Sequence, residues 1–452
     1  MKIPRFMISA PSSGSGKSVI ATCLMAAFNQ FLKVRGFKVG PDFLDPMYHA
    51  AATGVPSINL DSWILNPETN LFNFISASIG FELAIIEGVM GLFDGRDSDP
   101  FCGSSAEIAK LTQTPVILVL DASKLSGTAA AIVSGLSSFD PQVKVAGVIC
   151  NRVGSKRHAT ILREAIEKYA GLPVLGCLPK LAELEIPSRR LGLLPVDERP
   201  EQTRLFIAQA REIIQTHLDL EKILELAKEA PELHNPTPVT IRKETQPVRI
   251  GIARDEAFCF YYEDSMEAFR NEGGVLVPFS PLKDRFLPEG IQGLYFGGGY
   301  ADLYAESLAQ NKEMLSQIRS FCHADRPVYA EGTAFVYLSE GYQKQDNFYQ
   351  MAGVIPGYCE PGDKLRMGYK EINLLRDTVI AKSGVCLRGH EFHYCHWIKP
   401  ENTSSAYIIN LNNNLQEEAG WASGNLLASF VHLHFLQDKT LSKSFIERCR
   451  DN

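Results

Sequence analysis

No apolar run in this sequence approaches the roughly 20 residues that a membrane-crossing helix needs, and runs such as Val116-Ile-Leu-Val-Leu120 stop far short. No membrane span is therefore expected. A basic tract is missing too: 45 Lys and Arg stand against 52 Asp and Glu, spread along the chain, for a net charge of -7. Nothing here would track a phosphate backbone, so nucleic acid is not an expected partner. The ten cysteines form no CxxC pair, and several lie in apolar strand-like runs, which points to reduced, mostly structural thiols. There is no fixed-period repeat and no low-complexity segment. The amino-terminal residues lead straight into a Gly-rich loop without the charged, apolar and cleavage regions of a leader, so a cytoplasmic location is expected.

What is present is the composition of an ordinary folded protein, 45% hydrophobic and 21% charged. A length of 452 residues suggests two domains of roughly 200 residues each. Upstream, β-rich runs at 6–9, 83–86, 116–120, 145–149 and 174–177 alternate with helix-period stretches such as 19–32 and 158–169. That alternation predicts a parallel sheet. Residues 218–247 start as a short amphipathic helix and then collect Pro231, Pro236, Pro238 and Pro247 among charges, the pattern of a linker. The rhythm restarts with strands expected at 248–253, 274–278, 293–296 and 327–330. The expected architecture is α/β in two domains, 1–217 and 248–452, each a mainly parallel sheet flanked by helices.

Three clusters carry chemistry. Residues 10–18 read Ala-Pro-Ser-Ser-Gly-Ser-Gly-Lys-Ser, between an apolar strand and a helix, the context of a phosphate-binding P-loop. Gly14, Ser15 and Gly16 would turn backbone N–H groups toward phosphate, Lys17 would reach the β/γ phosphates, and the Ser18 hydroxyl would bind Mg²⁺. The ligand expected there is ATP or another nucleoside triphosphate. Pro11 stands where the usual pattern has its first glycine. The second cluster, Lys38-Val-Gly-Pro-Asp-Phe-Leu-Asp-Pro-Met-Tyr-His49, delivers carboxylates from a strand end, where ligands of open α/β sheets bind. Asp42 and Asp45 are candidates for Mg²⁺ or substrate contact, against the alternative of plain turn chemistry. The third, Ile85-Ile-Glu-Gly-Val-Met-Gly-Leu-Phe-Asp-Gly95, ends a strand at Glu87 and carries Asp94 on the following loop. Glu87 is placed to hold Mg²⁺ opposite the phosphates.

Together with NRVGSKRH (151–158), ARDEAFCFYY (253–262), GGGYADLYAE (297–306) and GHEFHY (389–394), these motifs resemble the cobyrinic acid a,c-diamide synthase family, in order and over nearly the whole chain. The resemblance implies a dethiobiotin synthetase-like domain that uses ATP to phosphorylate a carboxylate, and a class I glutamine amidotransferase-like domain that supplies ammonia. It implies a corrinoid or related tetrapyrrole acid as substrate and a homodimer. Lys17, Lys38, Asp45, Glu87 and Asp94 are the expected catalytic residues, with Ser18, Asp45 and Glu87 on the metal, and by similarity Lys38 would lie near the γ-phosphate or the substrate carboxylate. Asn151 would face the adenine, and Asp42, Tyr48, His49 and Arg189 the substrate. Ile58 and Arg190 depart from the arginine and histidine that the family usually has.

The glutaminase half departs further. The family carries its nucleophile in a pattern like AECGGLMYL, whereas this chain reads Ala330-Glu-Gly-Thr-Ala-Phe-Val-Tyr-Leu338, with Gly332 at the cysteine position. Without a thiolate the thioester route is closed. Thr333 is one residue away, and Cys322 is expected to be a structural thiol. Gly298, in the oxyanion loop Gly297-Gly-Gly299, and His432, in Phe430-Val-His-Leu-His-Phe435, remain. The imidazoles of Gly389-His-Glu-Phe-His-Tyr-Cys-His396 admit a metal-site reading but match core and site wall in the family. The leading expectation is an ATP- and Mg²⁺-dependent amide ligase using free ammonia, or ammonia from another protein. The rivals are a ligase for a different carboxylate and a non-catalytic nucleotide- or corrinoid-binding protein.

Overall fold

The computed structural model describes residues 1–96, 99–180, 188–189, 192–234, 246–410 and 415–451. The chain divides into two units, Met1–Pro238 and Val239–Asn452.

In the first unit the elements run β1 (Arg5–Ser9), α1 (Lys17–Phe28), β2 (Val34–Val39), α2 (Leu44–Thr53), β3 (Ile58–Leu60), α3 (Pro67–Ser78), β4 (Leu83–Glu87), α4 (Ser105–Leu111), β5 (Val116–Asp121), α5 (Thr128–Phe139), β6 (Val145–Val153), α6 (Lys156–Ala170) and β7 (Val174–Pro179). Two short strands, β8 (Ser188–Arg189) and β9 (Gly192–Leu193), precede α7 (Pro200–His217) and α8 (Leu220–Lys228). Strands β1 to β7 form one parallel sheet in the order β3-β2-β4-β1-β5-β6-β7. Both faces of β1 and β4 are buried, which explains why they read as unbroken apolar runs. Helix α1 is buried nearly all round because α7 and α2 cover the side away from the sheet. The edge strand β3 was not anticipated: three residues are too short for a pattern, and its Ile58 points into the core.

The stretch read as the start of a linker packs on this unit. The Asp219 side chain caps α8 by accepting from the Lys222 N–H while its own N–H donates to the Leu175 carbonyl of β7, the Leu233 N–H donates to the Met1 carbonyl, and the Pro231 carbonyl accepts from Arg5. Residues 235–245 of that stretch lie outside the described residues.

The second unit contains β10 (Val248–Ala253), β11 (Phe258–Phe260), α9 (Glu263–Asn271), β12 (Gly274–Phe279), β13 (Gly293–Phe296), β14 (Gly298–Gly299), α10 (Ala305–Gln310), α11 (Lys312–His323), β15 (Val328–Glu331) and α12 (Ala334–Leu338). There follow β16 (Gly341–Lys344), β17 (Asn347–Gln350), β18 (Tyr358–Leu374), β19 (Cys386–Ile398), β20 (Tyr407–Asn410), β21 (Gln416–Ala419), β22 (Trp421–Ser423), β23 (Leu426–Ser429), β24 (His432–Leu433) and α13 (Lys439–Asp451). The sheet β12-β10-β13-β15-β23-β22 is parallel except for β22. A second sheet, β17-β16-β18-β19-β24 with β20 paired to β18 and β21 to β20, is mostly antiparallel and adds to the parallel architecture expected. Its long β19 carries the GHEFHY motif against β24.

Candidate active site

Strands β1, β2 and β4 lie side by side, and their carboxyl ends deliver the loop 10–16, Lys38 and Glu87 to one edge of the sheet. Gly14 and Gly16 have φ of 79° and 95°, conformations that a side chain disfavours, so the loop can curl before α1. Lys17 folds back to donate to the Ser12 carbonyl at 3.1 Å. Burial, and then the neighbouring Lys38, push its ammonium down to about 8. A buried cation beside the amino end of a 12-residue helix is a fitting place for an anion.

Beneath the loop is a buried polar network. Lys38 Nζ donates to Asp45 Oδ2 at 2.5 Å, Glu87 Oε1 at 2.7 Å and the Gly88 carbonyl at 3.3 Å. Burial alone would lower the Lys38 ammonium, but Asp45 and Glu87 outweigh it and raise it. Glu87 is fully buried yet held below the usual carboxylate range, because Lys38 and His49 more than offset its burial. Its Oε1 also accepts from Ser18 Oγ at 2.6 Å, and its Oε2 meets His49 Nε2 at 2.6 Å. A carboxylate only accepts, so Nε2–H is the donor and His49 Nδ1 faces the Ser57 hydroxyl at 3.0 Å. Asp45 is pushed the other way, up, by burial, by Asp42 and by Glu87.

Two carboxylates and a hydroxyl are the donor set for a hard cation that keeps waters and phosphate oxygens in its remaining positions. Lys38 now bridges those two carboxylates. Among the described residues no three His, Cys, Asp or Glu side chains converge as a metal cage. Mg²⁺ would therefore fit here only together with the phosphates it serves.

In the second unit β15 ends at Glu331, turns sharply through Gly332 at φ 56° and enters α12. His432 Nδ1 lies 3.1 Å from Glu331 Oε2, and Tyr295 donates to Glu331 Oε1 at 3.0 Å. The imidazole lies over two glycines. A Cβ on Gly332 would meet His432 Nε2 and Cε1 at 2.6 Å, and one on Gly298 would meet Cε1 at 2.2 Å. The ring thus fills the space next to position 332. Thr333 Oγ1 is turned away and accepts from the Ala301 N–H at 3.2 Å. In the glycine loop, the Gly297 N–H donates to the Tyr261 hydroxyl at 2.9 Å. Burial pushes the Cys322 thiol on α11 up to about 12, the opposite of an activated nucleophile.

Comparison with known proteins fits both halves. Residues 6–194 match a CobQ/CobB/MinD/ParA nucleotide binding domain, and 249–440 a CobB/CobQ-like glutamine amidotransferase domain. Cobyrinate a,c-diamide synthases are similar over the full length: that of Picrophilus torridus is 40% identical over 451 residues, 99% of each chain. That of Caldanaerobacter subterraneus subsp. tengcongensis is 41% identical over 448 residues, 98% of each, and one from Listeria monocytogenes is 40% identical over 440 residues, 96% of this chain and 97% of the relative. The chain belongs to the cobyrinate a,c-diamide synthase family.

Within that family frame, the structure brings Ser18, Lys38, Asp45 and Glu87 together as one cluster, with Lys17 at its rim. Other expected residues take different places. His49, expected on the substrate side, is fully buried behind Glu87 and orients it instead. Tyr48, also expected there, is buried, with its hydroxyl donating to the Leu194 carbonyl at 2.8 Å. Asp42 Oδ1 caps α2 by accepting from the Leu44 and Asp45 N–H groups. Asp94 is exposed, and its Oδ2 accepts from the Gly91 N–H at 2.7 Å, across from the loop entry at Pro11. The side chains of Arg189 and Arg190 lie outside the described residues. His390 stacks on His432, and His393 on Phe430. Sequence reasoning missed Arg152, whose NH1 donates to the Gly14 carbonyl at 2.9 Å and to Asp121 Oδ2 at 2.5 Å. Its one signal was its place beside Asn151 in NRVG.

Position 332 allows a direct check. A cysteine there must adopt the left-handed backbone, at about 1–2 kcal/mol, and also displace His432. Gly332→Cys is therefore expected to lower the urea midpoint and to leave glutamine hydrolysis at background. Glutamate release by the variant would show that the ring moves aside.

Proposed function

We propose that this protein is an ATP- and Mg²⁺-dependent amide ligase for the side-chain carboxylates of cobyrinic acid or a close corrinoid relative, using ammonia that it does not itself make from glutamine. The observation that carries the reading is the Ser18, Lys38, Asp45 and Glu87 cluster buried at the mouth of the phosphate loop. A carboxylate resists attack by ammonia because its charge shields the carbonyl carbon. Transfer of the γ-phosphoryl group of ATP to a carboxylate oxygen gives an acyl phosphate and ADP; ammonia then attacks the carbonyl carbon, loses a proton and expels phosphate. Lys17 and Lys38 stand where negative charge on the transferred group is neutralised. Mg²⁺, held through Ser18, Asp45 and Glu87, would share that charge. Glu87 keeps its orientation through His49 and Ser57.

Gly332 in the elbow, with Thr333 turned away, supports the loss of glutamine hydrolysis. The deciding experiment supplies cobyrinic acid, ATP and Mg²⁺ with either ammonium or glutamine, following ADP release and product mass. Amidation with ammonium alone is the expected result. Equal turnover with glutamine would overturn the nitrogen assignment. No turnover with either would favour another carboxylate substrate or a binding role.

A further inference from the structure

The phosphate loop is oriented from outside, by two consecutive residues at the end of β6. Asn151 Nδ2 donates to the Ser15 carbonyl at 3.0 Å, and Arg152 NH1 to the Gly14 carbonyl at 2.9 Å. In a regular strand adjacent side chains point to opposite faces, so two neighbours could not both reach one loop. Here they do, because Arg152 has φ of 57° and the register of β6 on β7 breaks between Cys150 and Val153. A left-handed, non-glycine residue is costly and persists where its surroundings demand it. The guanidinium is itself fixed by Asp121 at 2.5 Å, and Asp121 Oδ1 accepts from the Ser123 N–H at 3.0 Å. Asn151 is packed so close that a Cβ on Gly16 would lie 2.4 Å from its Nδ2, which accounts for glycine at position 16.

The consequence follows from peptide geometry. In a trans peptide the C=O and the next N–H point in opposite directions. Holding the Gly14 carbonyl on the β6 side turns the Ser15 N–H away from β6, and holding the Ser15 carbonyl does the same for the Gly16 N–H. We propose that Asn151 and Arg152, with Asp121 behind them, are positioning residues that preset the Ser15 and Gly16 N–H groups for a polyphosphate. This rests on the nucleotide reading above, but it gives Asn151 a different task from facing the adenine.

The test separates phosphate from base. Full-length wild type, Arg152→Gly, Arg152→Lys and Asn151→Ala would be titrated with ATP and with inorganic tripolyphosphate, both with Mg²⁺, after melting curves confirm folding. Arg152→Gly suits the backbone, since glycine accepts φ of 57° without strain. Arg152→Gly and Asn151→Ala are expected to weaken both ligands by the same factor, tenfold or more. Arg152→Lys, which keeps one donor, is expected to recover part of the loss. Weakened ATP with unchanged tripolyphosphate would overturn the proposal in favour of base recognition, and unchanged affinity for both would overturn it outright. A wild type that binds neither ligand, or a Lys17→Ala variant that binds both normally, would overturn the nucleotide reading itself.

Discussion

Lys38→Met is expected to reduce amidation by on the order of 10²–10³ in kcat and to destabilise the first unit by about 3–5 kcal/mol. The side chains have similar length, so the change removes charge more than volume. Left behind are Asp45 and Glu87, both buried, both having lost the ammonium that lies 2.5 Å and 2.7 Å from them. Burial, Asp42 and Glu87 already raise Asp45, and Lys38 is the group that pulls it back. Without it Asp45 loses the group that favours its ionised form, is pushed further up, and is expected to be a poorer metal ligand. Glu87 would keep His49 and Ser18. Urea denaturation and ADP release measure the two effects separately. A variant within about 0.5 kcal/mol of wild type with near-normal turnover would remove Lys38 from the centre of the site.

That network also marks the boundary of what the chain makes legible. The motifs at 10–18, 38–49 and 85–95 could be read because each follows an apolar strand, and in a parallel sheet the ends of such strands converge on one edge. Which way a residue faces after that point is a tertiary matter. His49 and Tyr48 lie on α2, one turn beyond Asp45, and nothing in their spacing says that α2 presses them inward. Arg152 could not be read at all: its reach depends on a left-handed backbone inside a strand-like run, a conformation no local pattern predicts. The second sheet of the carboxyl-terminal unit was missed for another reason. Its two main strands, β18 and β19, are long and carry many polar residues, and their pairing is interrupted after Pro361, so neither the alternation of a short strand nor the unbroken apolar run of a parallel one is present. At position 332 the letter alone showed that the thiol is lacking, but only the structure shows an imidazole lying against the space.

Arg5→Met is expected to cost about 3 kcal/mol or more, a large stability loss for a substitution outside the site. Arg5 opens the central strand β1 and is fully buried, among residues whose neighbours in sequence are apolar. Burial pushes its guanidinium down to about 10, which still leaves it protonated at neutral pH. Its charge is met by carbonyl dipoles: Nε donates to Thr112 at 2.9 Å, NH1 to Ile3 at 3.0 Å, and NH2 to Pro231 at 2.7 Å and Gln113 at 3.4 Å. Methionine fills much of the volume but donates nothing, so these buried carbonyls lose a charged donor together. The Pro231 contact gives the loss a local signature. It ties the chain after α8 to the middle of the sheet, next to the Leu233–Met1 pairing. Arg5→Met should therefore speed limited proteolysis at 229–234 as well as lower the denaturation midpoint of the first unit. A lowered midpoint with unchanged cleavage there would mean that the arginine acts through the turn at Thr112 and Gln113 and not through Pro231 in the segment after α8. An unchanged midpoint would mean that the carbonyls find other donors and that the buried charge is dispensable. Because β1 carries the phosphate loop at its other end, a strand loosened at Arg5 should also weaken ATP binding, linking the anchor at the bottom of the sheet to the site at its top.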